Sequence, residues 1–337
     1  MARVVTLPGF VNAHSHAFQR ALRGRAAGGD FWAWRDGMLA EAEVQTHGTV
    51  RELYERTYRE MRAAGFTAVG EFHYLGLETS YAAAEAAGAA GIAFVCLHVA
   101  YARGGLERMR QPSVAAYLDE VEQIRARGIA VGLAPHSVRA CPRDWLVEIG
   151  RYAADERLVL HVHACEQPRE IEECLAEHGK RPIELLADAG CLGPLTTVVH
   201  ATHADGHELD VLAAAGARVC ACPTTEANLG DGFLPVERLL TRGIGLCIGS
   251  DSNVRIDPLE ELRELEGVAR RQSGRRNVVP LETLLCFGAD EGGVALGLEE
   301  ADWPEIEADL SHPSLRGVDE ADVFGALVFG SSAEVFA

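Results

Sequence analysis

LVLHVHACEQPREIEECLAEH, residues 158–178, spells out one structural unit. The apolar run 158–163 is too short for a helix and suits a strand buried on both faces. Gln167-Pro168 then opens an amphipathic helix to His178, because the fixed φ of proline suits the first helical turn. Two histidines and a glutamate stand at the junction. The same unit recurs along the chain. Strands are expected over 6–14, 67–73, 92–99, 130–136, 158–163, 196–200, 217–223 and 243–251. Helices are expected over 50–64, 78–90, 113–127, 142–155, 168–178, 205–215, 235–241 and 258–271. Gly65, Gly91, Gly128, Gly216 and Gly243 precede new strands, where a helix ends. Strict alternation of eight such units is the pattern of an α/β fold of the (β/α)8, TIM-type barrel class. A doubly wound open sheet is the alternative, but no GxGxxG follows the first strand.

A chain of 337 residues suits one large barrel domain. Its 50 Asp and Glu against 31 Lys and Arg leave a net charge of -19. That argues against nucleic acid as a partner, since phosphates need a basic face, and against an anionic membrane. No apolar run reaches the ~18 residues of a membrane span, and the first ten residues lack the apolar core of a signal peptide. The nine cysteines are scattered without a CxxC pair, which reads as reduced thiols in a cytoplasmic protein. Cys220-Ala221-Cys222 would put two of them on one face of a strand.

Barrel chemistry sits at the C-terminal ends of the strands. Nine of the 13 histidines (His14, His16, His73, His98, His136, His161, His163, His200 and His203) fall at or just past an expected strand end. His14-Ser15-His16 closes the first strand with two imidazoles on one side, so both can reach a single ion. Either His161 or His163 supplies a third ligand. Glu166 beside them suits a proton shuttle, or else a carboxylate stabilised at a helix start. Asp251 ends the eighth strand, next to the first in a closed barrel, and can ligate the ion and take a proton. It is free to do so because Asp257, before Pro258, already serves as a helix cap. Three imidazoles, a carboxylate and an open position fit one divalent metal ion, Zn2+ in the first place, with Fe2+ or manganese also admitted.

These residues resemble the amidohydrolase superfamily through PGFVNAHSH (8–16), HVHACE (161–166), VHATH (199–203) and GSDS (249–252). Within it the chain resembles the N-formimidoyl-L-glutamate deiminases. The matches are HSHAFQR (14–20), FWAWR (31–35), AVGEFHY (68–74), PHSVRA (135–140), HACEQ (163–167), KRPIE (180–184), TTEANLGDG (224–232) and GSDSNV (249–254). The resemblance implies metal ligands His14, His16, His163 and Asp251, with His163 chosen over His161 because it stands three residues before Glu166. It implies Glu166, His200 and Asp251 as the catalytic groups, and substrate contacts from Gln19, Arg35, Tyr74, His136 and Arg139. The implied reaction is metal-dependent hydrolysis of N-formimidoyl-L-glutamate to N-formyl-L-glutamate and ammonia.

A small-molecule substrate with two carboxylates would suit Arg35 and Arg139 as charge-assisted partners. The plainer readings are a solvated loop charge and a surface residue. The implied organisation is a barrel over 1–300 and a segment over 301–337 that is the remnant of a small flanking β-domain, otherwise absent or reduced; a homodimer is possible. Position 253 is Asn, where the family pattern more often has His. Two other readings are a related deaminase acting on an aminated heterocycle, and a truncated, inactive barrel used as a binding scaffold.

Overall fold

The computed structural model describes residues 4–25 and 28–336. Among these residues lie ten strands: β1 (Val4–Leu7), β2 (Phe10–Ser15), β3 (Phe66–His73), β4 (Ala93–Ala100), β5 (Val131–Pro135), β6 (Leu160–Ala164), β7 (Thr196–His200), β8 (Arg218–Ala221), β9 (Leu246–Ile248) and β10 (Ile306–Asp309). Strands β2 to β9 lie side by side in chain order, all parallel, with helices in every connection. This is the expected (β/α)8 barrel. Strands β2, β3, β5, β6 and β7 are buried along their whole length, as strands packed on both sides must be.

The ring closes between β2 and β9. The His16 amide donates to the Asp251 carbonyl at 2.8 Å, and the Asp251 amide donates to the His14 carbonyl at 3.0 Å. Side chains stitch the same seam. Asn12 Nδ2 donates to Ser250 Oγ at 2.6 Å, and the Ser250 amide donates to Asn12 Oδ1 at 3.0 Å. Asn253 Nδ2 donates to Ser15 Oγ at 3.1 Å and to the Asp251 carbonyl at 3.0 Å. The Asn at 253 is fully buried and belongs to this seam. Its φ of 55° is a left-handed conformation that asparagine tolerates better than most residues.

Three boundaries differ from the sequence reading. The strand expected over 6–14 divides at Pro8-Gly9, and β1 pairs antiparallel with β10 in a separate two-stranded sheet. Proline has no N–H for a ladder, and a Cβ at Gly9 would lie 2.4 Å from the Pro304 carbonyl oxygen. The strand expected to Pro223 stops at Ala221, because that proline starts the helix Pro223–Leu229. The strand expected over 243–251 has only three residues in the ladder. The helix Phe31–Glu43, capped by Asp30, was not expected. It buries only Met38 and Ala42, so it lacks the apolar stripe that marks a core helix. The helix Asp290–Leu296 shuts the N-terminal end of the barrel, where the Ala295 carbonyl meets His161 Nε2 at 2.8 Å.

Eight of the nine cysteines are buried and all are free. Among the described residues no helix is long and apolar enough to cross a membrane.

The seam leaves no room at Gly249, where a Cβ would lie 2.7 Å from the His14 carbonyl oxygen and 2.8 Å from His14 Cβ. Gly249→Ala must push β9 away from β2, and a loss of about 1–3 kcal/mol is expected, as for overpacked cores. Urea unfolding measures this; an unchanged midpoint would show that the seam is not tightly packed.

Candidate metal centre

Alternation along β2 turns His14 inward, and His16 follows it just past the strand end. Their ring centroids are 4.8 Å apart. Asp251 Oδ1 lies 3.5 Å from His14 Nε2 and 3.3 Å from His16 Nε2. From β6, His163 brings its Nε2 to 3.1 Å from His14 Nε2. One ligand atom from each of His14, His16, His163 and Asp251 falls within 4.8 Å of the others, and all four residues are buried. His161 lies apart, in the barrel floor.

The protonation pattern suits a cation. His16 Nδ1 lies 3.0 Å from the Phe72 carbonyl, and His163 Nδ1 lies 3.1 Å from the His136 carbonyl. A carbonyl only accepts, so both rings carry their proton on Nδ1 and turn an Nε2 lone pair to the centre. Burial lowers His14 to about 3, more than Asp251 raises it, and burial also depresses His16 and His163. Neutral imidazoles with converging lone pairs repel one another unless a cation lies between them. Burial alone would raise Asp251, but His14, His16 and His200 outweigh it and hold the carboxyl below the usual range. The donor set fits a divalent ion of the zinc or iron type.

A second row of groups faces this centre. His200 Nε2 lies 3.8 Å from Glu166 Oε1 and 3.8 Å from Asp251 Oδ2, while its Nδ1 lies 3.3 Å from Glu226 Oε1. Burial opposes protonation of His200, but Glu166, Glu226 and Asp251 outweigh it and raise the imidazole to about 10. Burial also raises Glu166, against the pull of His200 and Arg139. Arg139 Nη2 is 3.6 Å from Glu166 Oε2. The helix Pro168–His178 has no side-chain cap, so Glu166 faces His200 and Arg139 instead of capping it. Asp257 does cap the helix Pro258–Ser273, accepting from the Glu260 amide at 3.1 Å.

The backbone around these groups is strained. Cys165, His200 and Asp251 have φ of 57°, 72° and 44°. Left-handed conformations cost non-glycine residues ~1–2 kcal/mol each, and such outliers gather where function demands them.

A cleft of about 280 Å³ opens above the centre. Gln19, Arg35, Tyr74, His136 and Arg139 all line it, together with His16, His163, Glu166, His200 and Asp251. His14 lies beneath them, fully buried. Gln19 Nε2 donates to the Tyr74 hydroxyl at 2.9 Å, which leaves Gln19 Oε1 buried without a partner. Arg139 Nε is likewise buried and unpartnered. His136 packs against Tyr101, with ring centroids 4.5 Å apart.

Four of the nine strand-end histidines reach neither the cleft nor the cluster of candidate ligands beneath it. His73 bonds the Tyr54 hydroxyl and Thr79, His98 bonds Glu120, His161 bonds the Ala295 carbonyl, and His203 bonds the Asp231 carbonyl. For His73 and His98 the reason is the period of two. Phe72 turns inward against His14 and His163, so His73 turns out to the helices. Conversely, sequence reasoning missed Glu226 behind His200, and Phe31, Trp32, Trp34 and Tyr101 in the cleft wall. The motifs TTEANLGDG and FWAWR contain all but Tyr101, and only Arg35 among their residues drew a role.

The sequence model of the Amidohydrolase family matches residues 5–287. Formimidoylglutamate deiminase of Pseudomonas aeruginosa is 37% identical over 299 residues, which cover 80% of this chain and 66% of that protein. The chain thus spans just under two thirds of that relative's length. The 5-methylthioadenosine/S-adenosylhomocysteine deaminase of Haloarcula marismortui is 30% identical over 91% of this chain and 74% of that protein. Among solved structures, an amidohydrolase from Brucella melitensis is 31% identical with a TM-score of 0.85, over 98% of this chain and 84% of that one. An adenosine deaminase from Xanthomonas campestris with bound zinc shares the fold at a TM-score of 0.89 and 22% identity, over 98% and 78%.

If the four side chains hold an ion, His163→Ala should weaken its binding by more than the ~10–100-fold that outer-shell partners cost. Equilibrium dialysis followed by elemental analysis reads this directly, and equal ion content in both proteins would sink the ligand set.

Proposed function

The chain belongs to the amidohydrolase family, and on that premise we propose that it hydrolyses N-formimidoyl-L-glutamate to N-formyl-L-glutamate and ammonia. The observation that carries this reading is the pair Arg35 and Arg139 in the wall of the same cleft as the candidate ligands. The substrate has two carboxylates, and buried, unpartnered Arg139 Nε is a donor in want of an anion. The 37% identity to the formimidoylglutamate deiminase of Pseudomonas aeruginosa supports it.

A divalent ion held by His14, His16, His163 and Asp251 would activate a water for attack on the amidine carbon. Asp251 Oδ2 takes a proton from that water. His200 Nε2–H lies between Oδ2 of Asp251 and Oε1 of Glu166, and donates to the tetrahedral centre as it forms. Glu226 accepts from Nδ1 and so aims the opposite ring nitrogen at the reacting atoms. Glu166, whose burial favours the protonated form, delivers a proton to the departing nitrogen. Gln19 Oε1 accepts from the cationic amidine, which carries N–H groups only. Water adds across the C=N bond; as the C–N bond to the terminal nitrogen breaks and ammonia leaves, the formyl C=O forms and the hydroxyl proton returns to the Glu166 carboxylate.

The aromatic wall favours a second reading. Phe31, Trp32, Trp34, Tyr74 and Tyr101 could stack on a purine, as a deaminase of methylthioadenosine would require. A coupled ammonia assay on N-formimidoyl-L-glutamate and on 5′-methylthioadenosine, before and after chelation, separates the two. Ammonia from the nucleoside alone would overturn the proposal.

Two variants sharpen it. Arg35→Ala should raise KM for formimidoylglutamate about 10–100-fold with kcat little changed, the worth of one charge-assisted contact. Glu166→Gln should cut kcat by about 100–10,000-fold with the fold intact, which steady-state kinetics and circular dichroism together would check. Near-normal turnover by that variant would remove Glu166 from the mechanism.

A further inference from the structure

Asp251 has two oxygens, and they face different partners. Oδ1 turns to His14 and His16, at 3.5 and 3.3 Å, whereas Oδ2 turns to His200, at 3.8 Å. A thiol also approaches Asp251 and His200. One ligand atom from each of His200, Cys222 and Asp251 falls within 4.8 Å of the other two, and all three residues are buried. Cys222 is fully buried beside Cys220 and Cys247, in a small cluster with Ala13, Val199 and Ala295. Its backbone, and not its sulfur, serves the Glu226 carboxylate, with the Cys222 amide donating to Glu226 Oε1 at 3.0 Å. The thiol therefore has no task in the mechanism above.

We propose that His200, Cys222 and Asp251 form a second, inhibitory cation site that takes a thiophilic divalent ion such as Zn2+ or Cd2+, with Asp251 bridging it to the first centre. Thiolate, imidazole and carboxylate are a soft, mixed set that prefers zinc-type ions to Mg2+ or Ca2+. Three protein ligands leave one coordination position open, and a shared carboxylate is how neighbouring ions are held ~3.5–4 Å apart. Asp251 and His200 line the cleft, so an ion reaches this position by the route to the first centre. Binding releases two protons to solvent, one from the Cys222 thiol and one from His200 Nε2. The ion then occupies the nitrogen that would donate to the tetrahedral centre. Turnover stops while the first ion stays in place. The inhibitory consequence rests on the deiminase reading, but ion binding at Cys222 does not.

Titration with CdCl2, followed by the ultraviolet thiolate-to-cadmium charge-transfer band and by equilibrium dialysis, tests the site. The wild-type protein should bind two ions per chain and develop the band. Cys222→Ala and Cys222→Ser should bind one ion and lose the band, while Cys220→Ala keeps both. In the ammonia assay, the zinc concentration that halves activity should rise by about 10-fold or more in the Cys222 variants, with basal turnover unchanged. Wild-type protein that binds one ion and shows no band would overturn the second site and leave the first intact. One ion with a band that Cys222→Ala abolishes would uphold the site at Cys222 and refute the four-ligand centre instead. Zinc inhibition unchanged in both Cys222 variants would overturn the inhibitory role.

Discussion

Across the seam between the last and first barrel strands, the residues that close the ring are the residues that meet at its centre. The His16 and Asp251 amides make the closing hydrogen bonds to Asp251 and His14 carbonyls, and the same three side chains converge a few ångströms away. A slip of one residue between β2 and β9 would turn every side chain to the opposite face. Register and ligand geometry are therefore one constraint. The seam is correspondingly over-determined, with Asn12, Ser15, Ser250 and Asn253 in mutual hydrogen bonds. Arg20 also fastens the turn after His16 to the Asn253 and Val254 carbonyls, at 2.8 Å each.

That redundancy offsets a real cost. Left-handed residues, several depressed imidazoles and several buried carboxylates gather at one end of the barrel. Each would destabilise a smaller fold. Here they sit on a core in which most barrel strands are buried end to end, and polar groups lean on one another. Glu170 accepts from the Glu166 amide at 3.1 Å, and Glu208 accepts from the Ile183 amide at 3.1 Å and from Arg181 at 2.7 Å. Glu71, raised to about 8 by burial, accepts from the Ala17 amide at 2.7 Å and so holds the turn after His16.

Charge is distributed with the same economy. The chain is strongly anionic, at -19, yet Arg35, Arg103, Arg139 and Arg169 all line the cleft. Arg103 is paired with Glu177, and Arg169 lies over the Trp32 ring at 4.5 Å. Arg139 instead keeps one buried donor free for whatever enters. A global charge repels anions weakly at distance, since salt screens it within ~10 Å. Local guanidinium groups decide what binds.

The sequence by itself determined the alternation of eight units, the starts and stops written by proline and glycine, and the gathering of histidines at strand ends. These follow from period-two and helical patterns and from turn chemistry, which are local. It also put His14 and His16 side by side, since two residues two apart on an extended strand must share a face. Only the tertiary structure decided which strand-end histidines turn inward, that Pro8-Gly9 sends β1 out of the barrel, and that the helix Phe31–Glu43 folds its aromatic face over the cleft. It alone put Glu226 behind His200 and the Cys222 thiol beside Asp251. Each of these contacts joins residues far apart in the chain or depends on which of two faces a strand end presents. No periodicity encodes that choice; it is made when the eighth strand returns to the first.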